Sequence, residues 1–306
     1  MKKVAFLFPG QGSQAVGMGV DLCENYEVSK RVFETANDIL GKNIYDICKN
    51  GPEDVLKQTV NTQPAILTNS IAALEAFKSE INIAPTYTAG HSLGEYAAYY
   101  ASGILTLENA LKLIQKRAEL MDEVKGGSMA AVLNSDEDTI NSCINEVEGY
   151  VAVANYNSPK QIVITGDDDA VKKVCELLQQ KGVKRVVPLA VSGAFHSEYM
   201  KNAGEKFADF VKDIEVCDAK VPVITNVDSQ VTPSNVKEKM PKQIYSPVKW
   251  CQSIEKMIED GVDTFIEFGN GTVLAGLNKK INAEVKTYNV FDKESLLKTV
   301  ESLKEV

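Results

Sequence analysis

The chain is short of the residues that most often announce a chemistry. Its 306 residues include only two histidines, His91 and His196, and one tryptophan, Trp250. Neither histidine has ligand companions at suitable spacing, so no metal centre is expected. The six cysteines (Cys23, Cys48, Cys143, Cys175, Cys217 and Cys251) are scattered without a C-x-x-C pair. They read as free thiols in a reducing cytoplasm rather than as a disulfide framework. No window approaches the ~18 apolar residues of a spanning helix. The apolar run near the amino terminus stops at Pro9, too early for a signal peptide. A membrane role is therefore not expected. Basic residues (33) are outnumbered by acidic ones (42), giving a net charge of −9. That balance argues against general nucleic-acid binding, while leaving room for an anionic ligand held by a local basic cluster. Repeats and low-complexity segments are absent too.

What remains is an ordinary globular composition, 44% hydrophobic and 25% charged. The length is large for one domain and small for two. Through residue 125, apolar strands alternate with long amphipathic helices. Strands are expected at Val4 to Phe8 and Thr86 to Ala89, and one helical stretch over Asp21 to Leu40. Further helices are expected from Thr62-Gln63-Pro64, with Pro64 in the first turn, and from Thr106 to about Val124. Such alternation implies an α/β layer structure with a largely parallel sheet. The texture changes at Gly126-Gly127. Strands at 128–133, 150–156, 161–165 and 184–191, with helices at 136–147 and 168–180, give the order βαββαβ of a ferredoxin-like unit, with a turn at Asn157-Ser158-Pro159. Afterwards α/β texture resumes at 221–226 and 264–268, so the unit reads as an insertion.

The first glycine-rich stretch, Gly10-Gln11-Gly12-Ser13-Gln14-Ala15, spells the G-x-G-x-x-A of a dinucleotide fingerprint. That fingerprint needs a returning strand ending in an acidic residue to hold a ribose. Leu22, Tyr26, Val32, Phe33, Ala36 and Leu40 instead carry helical spacing, and Glu34 falls inside it. The pattern fails its context, and a tight turn is the plain alternative.

Gly90-His91-Ser92-Leu93-Gly94 is the strongest local motif. G-x-S-x-G between a strand and a helix puts a serine on a strained, exposed elbow, where the helix amino terminus directs N–H groups toward developing negative charge. A serine nucleophile needs a base. His91 adjoins the serine, and successive side chains diverge, so it reads as structural. By elimination the base is His196, in Ser192-Gly193-Ala194-Phe195-His196-Ser197. Arg117 shares the apolar helix stripe of Leu107, Ala110, Leu111, Ile114, Ala118 and Met121. A guanidinium there needs an anion, supplied either by an internal salt bridge or by a substrate carboxylate gripped by its planar fork. Three readings stay open on these residues alone: an acyltransferase, a serine hydrolase such as a thioesterase or lipase, and a non-enzymatic carrier-binding protein with a decayed site.

Across essentially its whole length the sequence resembles the malonyl-CoA:acyl carrier protein transacylases of bacterial fatty acid synthesis, the family that includes acyltransferase domains of polyketide synthases. F-P-G-Q-G-S-Q (8–14), N-T-Q-P-A (61–65), G-H-S-L-G-E (90–95), the arginine of Q-K-R-A-E-L-M (115–121), N-Y-N-S-P-K-Q-I-V-I-T-G (155–166), S-G-A-F-H-S (192–197), S-P-V-K-W (246–250) and E-F-G-N-G-T-V-L-A-G-L (267–277) follow the family's order. The implied fold is a hydrolase-like three-layer α/β domain, residues 1–127 and 192–306, interrupted by a ferredoxin-like subdomain, residues 128–191.

The resemblance implies that Ser92 carries the malonyl group as an ester and that His196 serves as base and then acid. A backbone carbonyl, placed at Gln243, would orient the histidine, and Arg117 would hold the malonyl carboxylate. The N–H groups of Gln11 and Leu93 would form an oxyanion hole, which gives the first glycine loop its purpose without a phosphate. Gln63, Asn155 and Asn157 would line the site. Phe195 would disfavour an α-methyl branch, since methylmalonyl-selective members carry Ser before the histidine. The implied partners are coenzyme A thioesters and an acyl carrier protein, in fatty acid elongation or a polyketide pathway, with no cofactor. Lys184-Arg185 and Lys279-Lys280 are candidate docking clusters. Gly269-Asn270-Gly271 departs from the family's usual Gly-Pro-Gly.

Overall fold

The computed structural model describes residues 3–191, 193–232 and 236–304. Ser192 and the chain ends, which bound the expected 1–127 and 192–306 segments, lie outside the described residues. In chain order the strands are β1 (Lys3–Phe8), β2 (Tyr87–Gly90), β3 (Ser128–Leu133), β4 (Val151–Ser158), β5 (Gln161–Gly166), β6 (Arg185–Pro188), β7 (Val223–Ile224), β8 (Val231–Thr232), β9 (Val262–Phe268) and β10 (Lys286–Val290).

The larger sheet runs β10-β9-β1-β2-β7-β8. Every pair from β10 to β7 is parallel, and only β7 with β8 is antiparallel. β1 lies inside this sheet, and its side chains divide by the two-residue period of a strand. Val4, Phe6 and Phe8 join the core under helices Thr59–Glu80, Gly94–Ala101 and Leu107–Glu123, while Ala5 and Leu7 face the core under helices Trp250–Glu259 and Val273–Ile281. Helices on both faces of a mostly parallel sheet make the expected three layers. Phe8 is in register with Gly90, and His91 N–H donates to the Phe8 carbonyl at 2.9 Å. The loops leaving β1 and β2 therefore emerge together at the carboxyl edge of the sheet, where open α/β sheets bind their ligands.

Helix Leu107–Glu123 opens on Thr106, whose side chain accepts from Asn109 N–H, the usual N-cap arrangement. Two helix expectations need correction. Asp21 to Leu40 is two helices, Val20–Asn25 and Glu27–Leu40, broken where Tyr26 turns extended at φ −131° and ψ 113°. Pro64 sits inside helix Thr59–Glu80 rather than in its first turn. A proline there leaves the carbonyl one turn earlier without its N–H donor; Lys42 Nζ donates to that Val60 carbonyl at 2.7 Å instead.

The second sheet is antiparallel, ordered β4-β5-β3-β6. Helices Glu137–Asn145 and Asp168–Gln180 close its core around Val132, Ile140, Ile164, Val174 and Leu178. The elements follow the expected βαββαβ order. The hairpin turn falls at Pro159-Lys160, however, since Asn157 and Ser158 still belong to β4, and β6 is half the length expected of 184–191. The sheet is fastened to the larger one by hydrogen bonds between β4 and the segment before helix Trp250–Glu259. Tyr156 N–H donates to Val248 O, and Val248 N–H to Ala154 O.

Candidate active site

The elbow between β2 and helix Gly94–Ala101 is built from close backbone contacts. A Cβ on Gly90 would fall 2.0 Å from the Gly94 carbonyl carbon, and one on Gly94 2.2 Å from the Phe8 carbonyl oxygen. Only glycine fits either place. Between them Ser92 adopts φ +50°, a left-handed conformation that costs a non-glycine residue about 1–3 kcal/mol.

Ser92 Oγ lies 2.8 Å from His196 Nε2. His196 is itself left-handed, at φ +56°. Its Nδ1 lies 3.0 Å from the Gln243 carbonyl and 3.1 Å from the Ser246 carbonyl. Two acceptors on that side fix the proton on Nδ1 and leave the Nε2 lone pair facing the serine hydroxyl. Burial and then the nearby Arg117 charge hold the imidazole neutral, lowering its pKa from 6.5 to about 3. Backbone Gln243 thus stands where it was expected; the Ser246 carbonyl was not foreseen.

Arg117 is 1% exposed and has no carboxylate within ion-pair distance among the described residues. Its NH1 donates to Gln63 Oε1 at 2.7 Å, and its NH2 to Gln243 Oε1 at 3.0 Å and to Ser92 Oγ at 3.1 Å. Nε has no partner among the described residues. The Tyr96 ring lies below at 5.8 Å. The buried Glu95 carboxylate acts on this guanidinium only at longer range; among the described residues no carboxylate is in direct contact with it, and the fork opens toward the serine.

The cleft above these groups encloses about 320 Å³ and is lined by Gln11, Gln63, Leu93, Arg117, Asn155 and Phe195, together with Ser92 and His196. The N–H groups of Gln11 and Leu93 have no protein acceptor among the described residues. The first glycine loop reaches the elbow because Gly10 lacks a side chain, since a Cβ there would lie 2.7 Å from the His91 carbonyl. Asn270 steadies this loop by donating to the Ser13 carbonyl at 2.7 Å, a bond that proline in a Gly-Pro-Gly segment could not make.

Asn157 does not line the cleft. Its Oδ1 lies 2.7 Å from His91 Nε2, and the His91 ring also packs near Trp250, as a structural histidine would. Neither Lys184-Arg185 nor Lys279-Lys280 reaches the cleft, and Lys280 is engaged with Gln161. The lysine at the mouth is Lys57, paired with Glu53, which no sequence motif had singled out. Among the described residues no group of three metal-ligating side chains forms, and no helix is long and apolar enough to cross a membrane.

The chain matches known proteins along nearly its whole length. The acyl transferase domain family matches residues 5–293. The sequence is 46% identical to the malonyl CoA-acyl carrier protein transacylase of Bacillus subtilis (strain 168), across all of this chain and 98% of that one. The fold superposes on the transacylase of Clostridium perfringens with a TM-score of 0.94 at 40% identity, covering 99% of this chain and 98% of that one. It superposes equally well on a malonyl-transacylase in complex with its type II PKS acyl-carrier protein, with a TM-score of 0.95 at 35% identity over 98% of this chain and all of that one. An elbow serine, a neutral histidine beside it and an unpaired guanidinium are thus set in a fold shared with these enzymes, and the chain belongs to the malonyl-CoA:acyl carrier protein transacylase family of acyltransferases.

Proposed function

We propose that the protein transfers a malonyl group from malonyl-CoA to the phosphopantetheine thiol of an acyl carrier protein, by a ping-pong mechanism through an ester on Ser92. The observation that carries this reading is the Arg117 guanidinium, buried, in no ion pair among the described residues and 3.1 Å from Ser92 Oγ. Such a charge suits a substrate with a free carboxylate beside its reacting carbonyl.

In the first half-reaction the Ser92 hydroxyl gives its proton to His196 Nε2 as Oγ bonds to the thioester carbon. The oxyanion formed is held by the Gln11 and Leu93 N–H groups. As the tetrahedral intermediate collapses, the C–S bond breaks and the His196 proton passes to the coenzyme A sulfur. In the second half the carrier thiol gives its proton to His196 and attacks the ester, and the proton returns to Ser92 Oγ. The malonyl carboxylate does more than anchor the substrate. By drawing Arg117 NH2 it frees a lone pair on Ser92 Oγ, and by neutralising the guanidinium it removes the charge that, after burial, most depresses His196. Binding of the correct acyl group thus raises the reactivity of the dyad. Side chains and backbone groups complete the cycle, with no cofactor required.

Residues 128–191 would act as a ferredoxin-like subdomain whose Met129, Asn155 and Leu189 close one side of the cleft, a role supported by their place in its lining. Phe195, lining the same cleft, would disfavour branched acyl groups, and the cytoplasm is the proposed location. Malonyl supply to fatty acid elongation is the first reading of the pathway; service to a polyketide carrier is the second, favoured by the likeness to the solved carrier complex.

Brief mixing with malonyl-CoA, followed by intact-mass analysis and peptide mapping, tests the reading. A malonyl adduct on Ser92 that persists until carrier protein is added is expected, and Ser92→Ala should form none. Free malonate without an adduct would make the protein a hydrolase, and an adduct on the Ser92→Ala variant would displace Ser92 from its role.

A further inference from the structure

Asn226 lies outside the cleft, beyond the end of β7, and is 1% exposed. Every polar group it has is engaged, and three of the four serve the elbow or the helix that follows it. Its Oδ1 accepts from Ser92 N–H at 2.8 Å, and its Nδ2 donates to the Gly90 carbonyl at 2.7 Å. Its own N–H donates to Glu95 Oε2 at 2.6 Å, and its carbonyl accepts from Lys249 N–H.

The reason for this convergence lies in the sheet. The parallel ladder between β2 and β7 ends with Ala89 opposite Ile224. One residue later the chain enters the elbow, where Gly90 C=O and Ser92 N–H have left the ladder and the helix has not begun. Buried peptide groups left unpaired cost about 1–3 kcal/mol each. The Asn226 side chain is a primary amide, with the same donor and acceptor as a peptide group, and it supplies both missing rungs. Its own place is fixed by Glu95 and by the turn of residues 225–232. There Lys239 Nζ donates to Thr225 Oγ1 and Thr232 Oγ1 and pairs with Asp228. Lys239 begins the helix Lys239–Tyr245 that presents Gln243 to His196. One frame therefore holds the nucleophile's backbone and the carbonyl that orients its base.

We propose that Asn226 is a positioning residue for Ser92: its side-chain amide continues the β2–β7 ladder across the elbow and holds Ser92 in the left-handed conformation that aims Oγ at His196 Nε2. The role rests on Ser92 being the nucleophile. It also extends to the Leu93 N–H, because the peptide that follows Ser92 turns with it.

The test compares wild type, Asn226→Ala and Asn226→Asp in single-turnover acylation by malonyl-CoA, read by intact mass and peptide mapping, with thermal melting alongside. Asn226→Ala loses both rungs. A displacement on the scale of an ångström at a reacting group costs about a hundredfold, and a slowing of that size is expected. The malonyl-CoA concentration for half-maximal rate should be unchanged, because Asn226 does not touch the cleft. Asn226→Asp keeps the acceptor for Ser92 N–H while turning an oxygen toward the Gly90 carbonyl, so its rate should fall between the two. Acylation of Asn226→Ala at the wild-type rate would overturn the proposal. So would a weakened half-saturation with the limiting rate intact, or unfolding of both variants, which would make Asn226 a scaffold residue only. If the wild type itself carries its adduct elsewhere than Ser92, the underlying reading fails instead, and mapping tells these outcomes apart.

Discussion

Replacing Arg117 by alanine separates substrate selection from the chemistry of the dyad. The guanidinium is held by neutral oxygens of Gln63, Gln243 and Ser92, and its Nε has no partner among the described residues. A malonyl carboxylate entering the cleft would offer two charged acceptors to the same fork. Hydrogen bonds to charged groups contribute about 1.5–3 kcal/mol each, so a bidentate pair amounts to roughly 3–6 kcal/mol. At about 1.4 kcal/mol per decade, Arg117→Ala should lower kcat/KM for malonyl-CoA by roughly 10²–10⁴. Acetyl-CoA has no carboxylate to lose, and its rate should change far less.

The assay is competition. The variant is mixed with equal malonyl-CoA and acetyl-CoA, and the two Ser92 adducts are resolved by mass within one turnover. Because both acyl groups meet the same protein, any general loosening of the site cancels in the ratio. Stability supplies an independent check. Removing one partner of a buried ion pair typically costs about 3–5 kcal/mol, but Arg117 has no such partner among the described residues. Its removal relieves a buried charge that only the longer-range Glu95 carboxylate offsets, while leaving a cavity, so the melting temperature should fall by less than for an arginine in a direct ion pair. A malonyl-to-acetyl ratio equal to that of the wild type would refute the reasoning and reduce Arg117 to a packing residue.

The remaining expectations concern pH and the acyl pocket. Because the folded value of His196 is lowered from 6.5 to about 3, the base stays neutral well into acid, and single-turnover acylation should show no His196 limb near pH 6.5. A limb there that persists in Glu95→Gln, and so does not belong to the raised Glu95 carboxyl, would refute this. The same shift has a stability consequence: below pH 6.5 the unfolded chain binds a proton that the folded site refuses, so stability is lost as pH falls toward 3. Denaturation curves of His196→Gln should show a weaker acid dependence. Phe195→Ser should raise methylmalonyl acylation relative to malonyl by roughly 10–200-fold, the value of one methyl group in an apolar pocket; an unchanged ratio of the two adducts would remove Phe195 from selectivity.

What could be read in the sequence was whatever is written in residue type at short range. The stripe of helix Leu107–Glu123 exposed Arg117 as an anomaly because a guanidinium at a core position breaks a period that every neighbour keeps. The two glycines around Ser92 marked the elbow because backbone crowding leaves no substitute, and with two histidines in the chain elimination singled out the one that lies beside Ser92. Asn226 left no such mark. It is one asparagine in a turn, and its partner Ser92 is 134 residues away. The Ser246 carbonyl is a backbone acceptor that any residue could supply. Gln63 came from resemblance alone, since a buried glutamine announces nothing until its guanidinium partner is placed beside it. The misplaced start of helix Thr59–Glu80 has a tertiary cause, because Lys42, from another part of the chain, repairs the carbonyl that Pro64 orphans.

Ser92 and His196, the proposed nucleophile and base, both occupy left-handed backbone, and a strained conformation persists only where its surroundings over-determine it. Gln243 does much of that work at one point. Its carbonyl accepts from His196, its Nε2 donates to the Ser92 carbonyl at 2.8 Å, and its Oε1 accepts from Arg117. Asn226 holds the other side of the elbow. The strain at each residue is thus borne by groups that also fix its partner, so Ser92, His196 and the Arg117 fork cannot move independently. On the proposed mechanism, an acyl group that fails to engage the fork leaves Arg117 on Ser92 Oγ and its charge beside His196, which is the state least able to attack. Selectivity for the charged acyl group would then be built into the reactivity of the serine as well as into the shape of the cleft.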